Sequence, residues 1–120
     1  MSDGNFTYQD VIELEQAYNQ AKALVDQIKY VNGYPDYPKT VSQFMLSLSS
    51  GKWGNTGYQP SQTPQLIKSI PTATMVDLRS ILTACSRSER FGDGNWISFL
   101  HGDVIEKVID RAKELTQTES

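Results

Sequence analysis

Val11, Leu14, Tyr18, Ala21, Val25 and Ile28 recur three and four positions apart, a spacing that keeps side chains on one stripe of an α-helix. The pattern predicts a first helix from about Thr7 to Tyr30, with Leu14, Ala21 and Ile28 facing inward. Thr7 and Asp10 suit its amino end as a capping box, and Asp10, Glu13 and Glu15 lie toward the positive end of the helix dipole, with Lys29 toward the negative end. Asn32-Gly33 stops the helix, and Tyr34-Pro35-Asp36-Tyr37-Pro38 prevents its resumption, because proline lacks the amide donor and restricts the residue before it.

A second helix starts near Thr40 and buries Val41, Phe44, Met45 and Leu48 before Gly51. Residues 52–62 read as a loop with turn chemistry at Gly54, Asn55, Gly57 and Pro60, and with Trp53 and Tyr58 as anchors. Thr63-Pro64 opens a short helical turn that Pro71 closes. From about Thr72 to Thr74 another helix begins, with Leu78, Ile81, Leu82 and Cys85 on its buried face. The sharp turn Gly92-Asp93-Gly94 separates it from an apolar turn at Trp96, Ile97, Phe99 and Leu100. Asp103 then caps a last helix, whose stripe is Val104, Ile105, Val108, Ile109, Ala112 and Leu115. No alternation is long enough to demand a sheet.

The elements predict an all-α fold, a small irregular bundle of about five helices with a long aromatic loop. One domain would occupy residues 7–115, between a flexible stretch at 1–6 and a frayed end from 116 to 120. The 120-residue length suits a single domain, and 38% hydrophobic with 21% charged residues is a globular rather than a disordered balance. The lone Cys85 excludes an intramolecular disulfide and fits a reducing compartment. Residues Met1 to Asn5 lack the apolar stretch of a secretory signal, and no apolar run reaches membrane-spanning length. A cytoplasmic location without membrane contact is expected.

Net charge is −3 but unevenly spread. Residues 1–38 carry two lysines against six carboxylates, residues 39–90 six basic groups against two acidic, and residues 91–120 three against six. A basic middle between acidic ends allows two readings: oppositely charged segments pack together, or a basic face meets an acidic partner or a phosphate. The negative total speaks against a general nucleic-acid binder.

Catalytic chemistry is sparse. One histidine and one cysteine cannot complete a zinc site. Cys85 and His101 would make a nucleophile–base pair only if they met, yet Cys85 falls on an apolar stripe and His101 at a helix end. Neither a P-loop nor a dinucleotide fingerprint occurs. No catalytic residue, metal or cofactor is assigned.

The densest chemistry lies at Arg87-Ser88-Glu89-Arg90-Phe91-Gly92-Asp93-Gly94. Read structurally, this is a corner between helices: Glu89 pairs with an arginine, Phe91 plugs the core, Asp93 bonds the backbone of its turn or caps the next helix, and Gly94 takes a positive φ. Read functionally, Arg87, Glu89, Arg90 and Asp93 line a pocket for an anion or nucleotide. The run Glu89 to Gly94, followed by His101-Gly102-Asp103-Val104-Ile105, resembles the C-terminal half of an uncharacterised bacterial family marked by Glu-Arg-Phe-x-Asp-Gly before a terminal helix. The resemblance covers about residues 75–115, takes in the Trp53 and Tyr58 loop more loosely, and leaves residues 1–45 outside. It implies a domain boundary and an important corner, but no reaction.

The expected function is therefore a non-enzymatic, macromolecule-binding module of bacterial or phage origin, with defence or counter-defence as a role that suits its size. Its partner would be a protein, met by Arg87, Glu89, Arg90, Asp93, Trp53 and Tyr58. The alternative is a small-ligand or nucleotide-binding protein, with or without enzymatic activity, that uses the Arg87–Asp93 corner. The first helical stripe also leaves room for a homodimer.

Overall fold

The computed structural model describes residues 6–55 and 57–117. Among them the fold is mainly helical, with six α-helices and one small hairpin. Helix α1 spans Tyr8–Leu24 and starts at the expected capping box: the Asp10 amide donates to Thr7 Oγ1 at 3.2 Å, and the Thr7 amide donates to Asp10 Oδ2 at 2.8 Å. The helix ends six residues before the expected Tyr30. After a 3-10 turn at Val25–Gln27, Ile28 turns extended and leads into strand β1, Lys29–Val31, which pairs antiparallel with β2, Tyr34–Asp36.

The cause of this early end is the Asn32-Gly33 pair. Both residues take positive φ, 54° and 84°, the demand of a two-residue hairpin turn flanked by β-forming Tyr30, Val31 and Tyr34. The signal read as a helix stop is a hairpin turn, and it converts the last expected helical turn into strand. Ile28 still packs against the core, but only partly buried.

Helix α2, Lys39–Ser47, buries Val41, Phe44 and Met45. Short α3, Thr63–Lys68, follows the 52–62 connection. Helix α4, Met75–Arg87, begins at a second capping box between Thr74 and Asp77 and touches α2, α3, α5 and α6. Met75, Leu78, Ile81, Leu82 and Cys85 are buried along it, so α4 is the central post of the bundle. Helix α5, Asn95–His101, turns back from the corner, and α6, Val104–Gln117, closes the core with Ile105, Val108, Ile109 and Ala112. The α1 stripe at Val11, Leu14, Tyr18 and Ala21 is spent inside the chain against α2 and α6, so it is not a dimer seam.

Two end positions differ from expectation. Phe6 is buried and packs against Trp53 with tilted rings, centroids 4.6 Å apart, so order begins before residue 7. Thr116 is buried within α6, and its hydroxyl donates to the Ala112 carbonyl at 2.8 Å. The rest of the expected loose ends, residues 1–5 and 118–120, lies outside the described residues.

The connection after α2 is pinned rather than loose. The Asn55 amide donates to Thr83 Oγ1 at 2.9 Å, Asn55 Nδ2 to Ser80 Oγ at 2.8 Å, and Arg79 to the Gly54 carbonyl at 2.5 Å. The backbone passes so close that a Cβ on Gly54 would stand 2.6 Å from the Ser49 carbonyl oxygen. Among the described residues no helix is long and apolar enough to cross a membrane.

Candidate functional site

The corner begins where α4 tightens into a 3-10 turn at Ser88–Phe91. Glu89 is its hub, but its partners are not the expected arginines. Glu89 Oε2 accepts from the Tyr37 phenol at 2.8 Å and from the Gly94 amide at 2.8 Å, while Oε1 accepts from the Trp96 amide at 3.0 Å. Gly94 and Trp96 stand at the first turn of α5, so the carboxylate caps that helix from seven residues upstream, where an anion is favoured. The capping role expected of Asp93 belongs to Glu89, and Asp93 is exposed. Asn95 adds a clamp, its Nδ2 donating to the Ser88 carbonyl at 2.7 Å.

Gly94 takes a φ of 91°, as expected. Phe91 does not plug the core and is 79% exposed. Trp96 fills the place instead: it is buried, its Nε1 donates to the Ser86 carbonyl at 2.8 Å, and its ring lies 4.9 Å from that of Tyr37. With the indole inside, the preceding 3-10 turn carries Phe91 outward.

Arg87 and Arg90 have no carboxylate within ion-pair distance among the described residues. The Arg87 guanidinium lies 5.1 Å above the Tyr58 ring, and Arg90 is exposed. Both border a small pocket of about 280 Å³ with Leu46, Ser49, Glu89 and Trp96. Trp53 is not drawn to the corner, since it is half-buried against Phe6. The expected set is thus divided: Arg87, Glu89, Arg90 and Tyr58 gather, Asp93 is exposed, and Trp53 packs against the core.

Sequence reasoning missed Tyr37, whose hydroxyl completes the hub, and two concave surfaces. One is an apolar groove of about 390 Å³ with walls that include Tyr58, Pro64, Ile67, Ala84, Phe91 and Phe99. The other, about 780 Å³, lies between α3 and α6 and shares Ile67 with the first. Three of its four cations are already matched, Lys113 with Glu15 at 2.7 Å, Arg111 with Glu114 at 3.4 Å and Lys107 with Asp103 at 3.3 Å, and Lys68 is not. Helical spacing of Leu66, Ile67 and Ile70 marks the stretch from α3 into the following 3-10 turn as amphipathic, but no local signal tells that part of its apolar face stays uncovered.

Cys85 is fully buried, and burial pushes its thiol up to about 12, the reverse of what an attacking thiolate requires. His101 lies instead 3.6 Å from Asp26 on the surface. Among the described residues no three His, Cys, Asp or Glu side chains gather to hold a metal.

Fold and site together define a small helical domain with a rigid, charged corner and an outward phenylalanine. The chain belongs to a family of unknown function, DUF6508, whose profile matches residues 27–118. That span includes the hairpin and α2 and so reaches well beyond the resemblance seen at the corner. No curated protein and no solved structure matches the chain.

Proposed function

We propose that the chain is a non-enzymatic binding module that docks a protein partner on the surface around Phe91. The carrying observation is the exposure of Phe91 on a corner held by four hydrogen bonds, from Tyr37, Gly94 and Trp96 to Glu89 and from Asn95 to Ser88. A large apolar side chain presented on a rigid turn loses little freedom on binding, which is the property of an interface anchor. Phe91 is not an isolated case. Tyr30, Val31, Tyr34 and Leu46 are also exposed by more than half, and the Tyr30 hydroxyl lies beside Gly94. Uncovered aromatic surface of this kind marks interaction sites.

The test is affinity capture from the native host with mass spectrometry, using the parent chain and Phe91→Ser in parallel. A partner held by the parent and lost by the variant supports the module. A partner retained equally by both removes Phe91 from the interface and overturns the reading.

A second reading rests on Arg87 and Arg90, which border a pocket without carboxylate partners and would receive an anionic ligand there. The pocket's 280 Å³ falls below the roughly 300–1,000 Å³ of small-molecule sites, and Glu89 is fully engaged by its three donors. Titration calorimetry with ATP separates the two: saturable heat that vanishes in Arg90→Ala favours the ligand reading, and no heat favours the module.

A further inference from the structure

Resting on the binding-module reading, we propose that the groove walled by Tyr58, Pro64, Ile67, Ala84, Phe91 and Phe99 receives one amphipathic α-helix of an acidic protein partner. The groove wall is almost entirely carbon. Its polar members contribute little: Ser88 Oγ is already committed to the Cys85 carbonyl at 2.7 Å, and Thr63 sits at one edge. An extended peptide laid here would bury amide and carbonyl groups with nothing to pair them, a heavy cost in an apolar trough. A helix satisfies its own backbone and offers only side chains, so it is the peptide conformation that this surface accepts.

Charge selects the sign of the partner. Arg87 lies over the ring of Tyr58, itself a wall of the groove, with its guanidinium carbon 5.1 Å from the ring centroid. Arg90 precedes Phe91 and is exposed, and Lys68, beside Ile67, is exposed as well. None of the three has a carboxylate within ion-pair distance among the described residues. The neighbouring trough between α3 and α6 differs in this respect, because its other basic residues are already matched. Carboxylates flanking the apolar stripe of an incoming helix would find two guanidinium forks and an ammonium group unspent. The basic middle of the chain, residues 39–90, supplies all three: Arg87 and Arg90 border the small pocket at the corner, and Lys68 lines the trough that shares Ile67 with the groove.

A displayed library of random peptides about four helical turns long tests this directly. Selected binders should carry acidic residues beside an apolar stripe at i, i+3 or i+4, and i+7, and should become helical on binding by circular dichroism. They should lose about tenfold or more in affinity against Phe91→Ser, lose affinity against the Arg87→Gln/Arg90→Gln double variant, and weaken as salt rises. These side chains face solvent or stack on the surface, so an unchanged melt confirms that each variant is folded. Binders that need Phe91 but are not acid-rich, or that bind extended, overturn the helix assignment and leave the module standing. Binders indifferent to Phe91 overturn both. A library that yields none overturns the helix inference, while host capture still judges the module.

Discussion

The Tyr37 phenol donates to Glu89 Oε2 at 2.8 Å, and this bond fastens the segment after the hairpin to the corner, 52 residues further along the chain. Because the same carboxylate holds the Gly94 and Trp96 amides, the hairpin side and the helix start share one acceptor. Tyr37→Phe removes one donor and should cost about 1–2 kcal/mol, the usual worth of a half-buried bond to a charged group. Glu89→Ala leaves three donors without an acceptor and should cost about 2–4 kcal/mol, with Glu89→Gln between the two. Arg90→Ala, which touches none of this, should change stability by less than about 0.5 kcal/mol. Urea melts give all four values, and a Glu89→Ala midpoint equal to that of Arg90→Ala would show that the hub is not structural.

Gly94→Ala should destabilise by about 1–2 kcal/mol, because a φ of 91° is costly for any residue with a Cβ. The new Cβ would also stand 2.9 Å from the Tyr30 hydroxyl, but that oxygen ends a flexible side chain on an exposed strand and can swing away. Backbone conformation, not the clash, should therefore dominate. The double variant Gly94→Ala/Tyr30→Ala tests this: recovery of most of the loss on removing Tyr30 would show that the contact, not the torsion, sets the cost.

Periodicity made the bundle legible. The stripes of α1, α4 and α6 occur where three- and four-residue spacing places them, and Thr7 with Asp10 is a capping box in sequence and structure alike. What escaped depended on partners far along the chain. Asn32-Gly33 ends a helix or turns a hairpin with equal local sense, and the flanking Tyr30, Val31 and Tyr34 decide the matter. The identity of the residue that fills the core at the corner could not be read locally either. Phe91 and Trp96 are both aromatic beside a glycine turn, and Trp96 wins because its indole nitrogen finds the Ser86 carbonyl while the 3-10 turn rotates Phe91 out. Glu89 was legible as important, yet its partner Tyr37 is too distant in sequence for any motif to join them.

Leu14→Asp should abolish cooperative folding. Leu14 is 5% exposed on the face of α1 that packs against α2 and α6, and the change both removes its packing and buries a charge with no partner. The combined loss of about 4 kcal/mol or more is a large share of the roughly 5–15 kcal/mol that holds a small domain. Circular dichroism during heating would decide it, and a sharp transition near that of the parent would put Leu14 outside the core.

Alkaline pH should lower the stability of the domain over two separable ranges. Burial raises the Cys85 thiol from an ordinary 9.0 to about 12. Burial first, and then the hydrogen bond to Glu89, raises the Tyr37 phenol from 10.0. Each group holds its proton more tightly folded than unfolded. The stability it contributes is therefore complete below the ordinary value and is lost as pH rises through the folded one. The urea midpoint should start to fall near pH 9 and steepen above pH 10, up to about pH 12 for the thiol. In Cys85→Ala the decline beginning near pH 9 should flatten, and in Tyr37→Phe the steepening above pH 10 should weaken, whatever each change does to stability at neutral pH. Native Cys85 should also react slowly with a thiol reagent, at a rate that follows unfolding, because a reagent reaches a fully buried thiol only when the core opens. Rapid labelling with a pH-independent midpoint would place Cys85 at the surface and leave the central helix without the packing assigned to it.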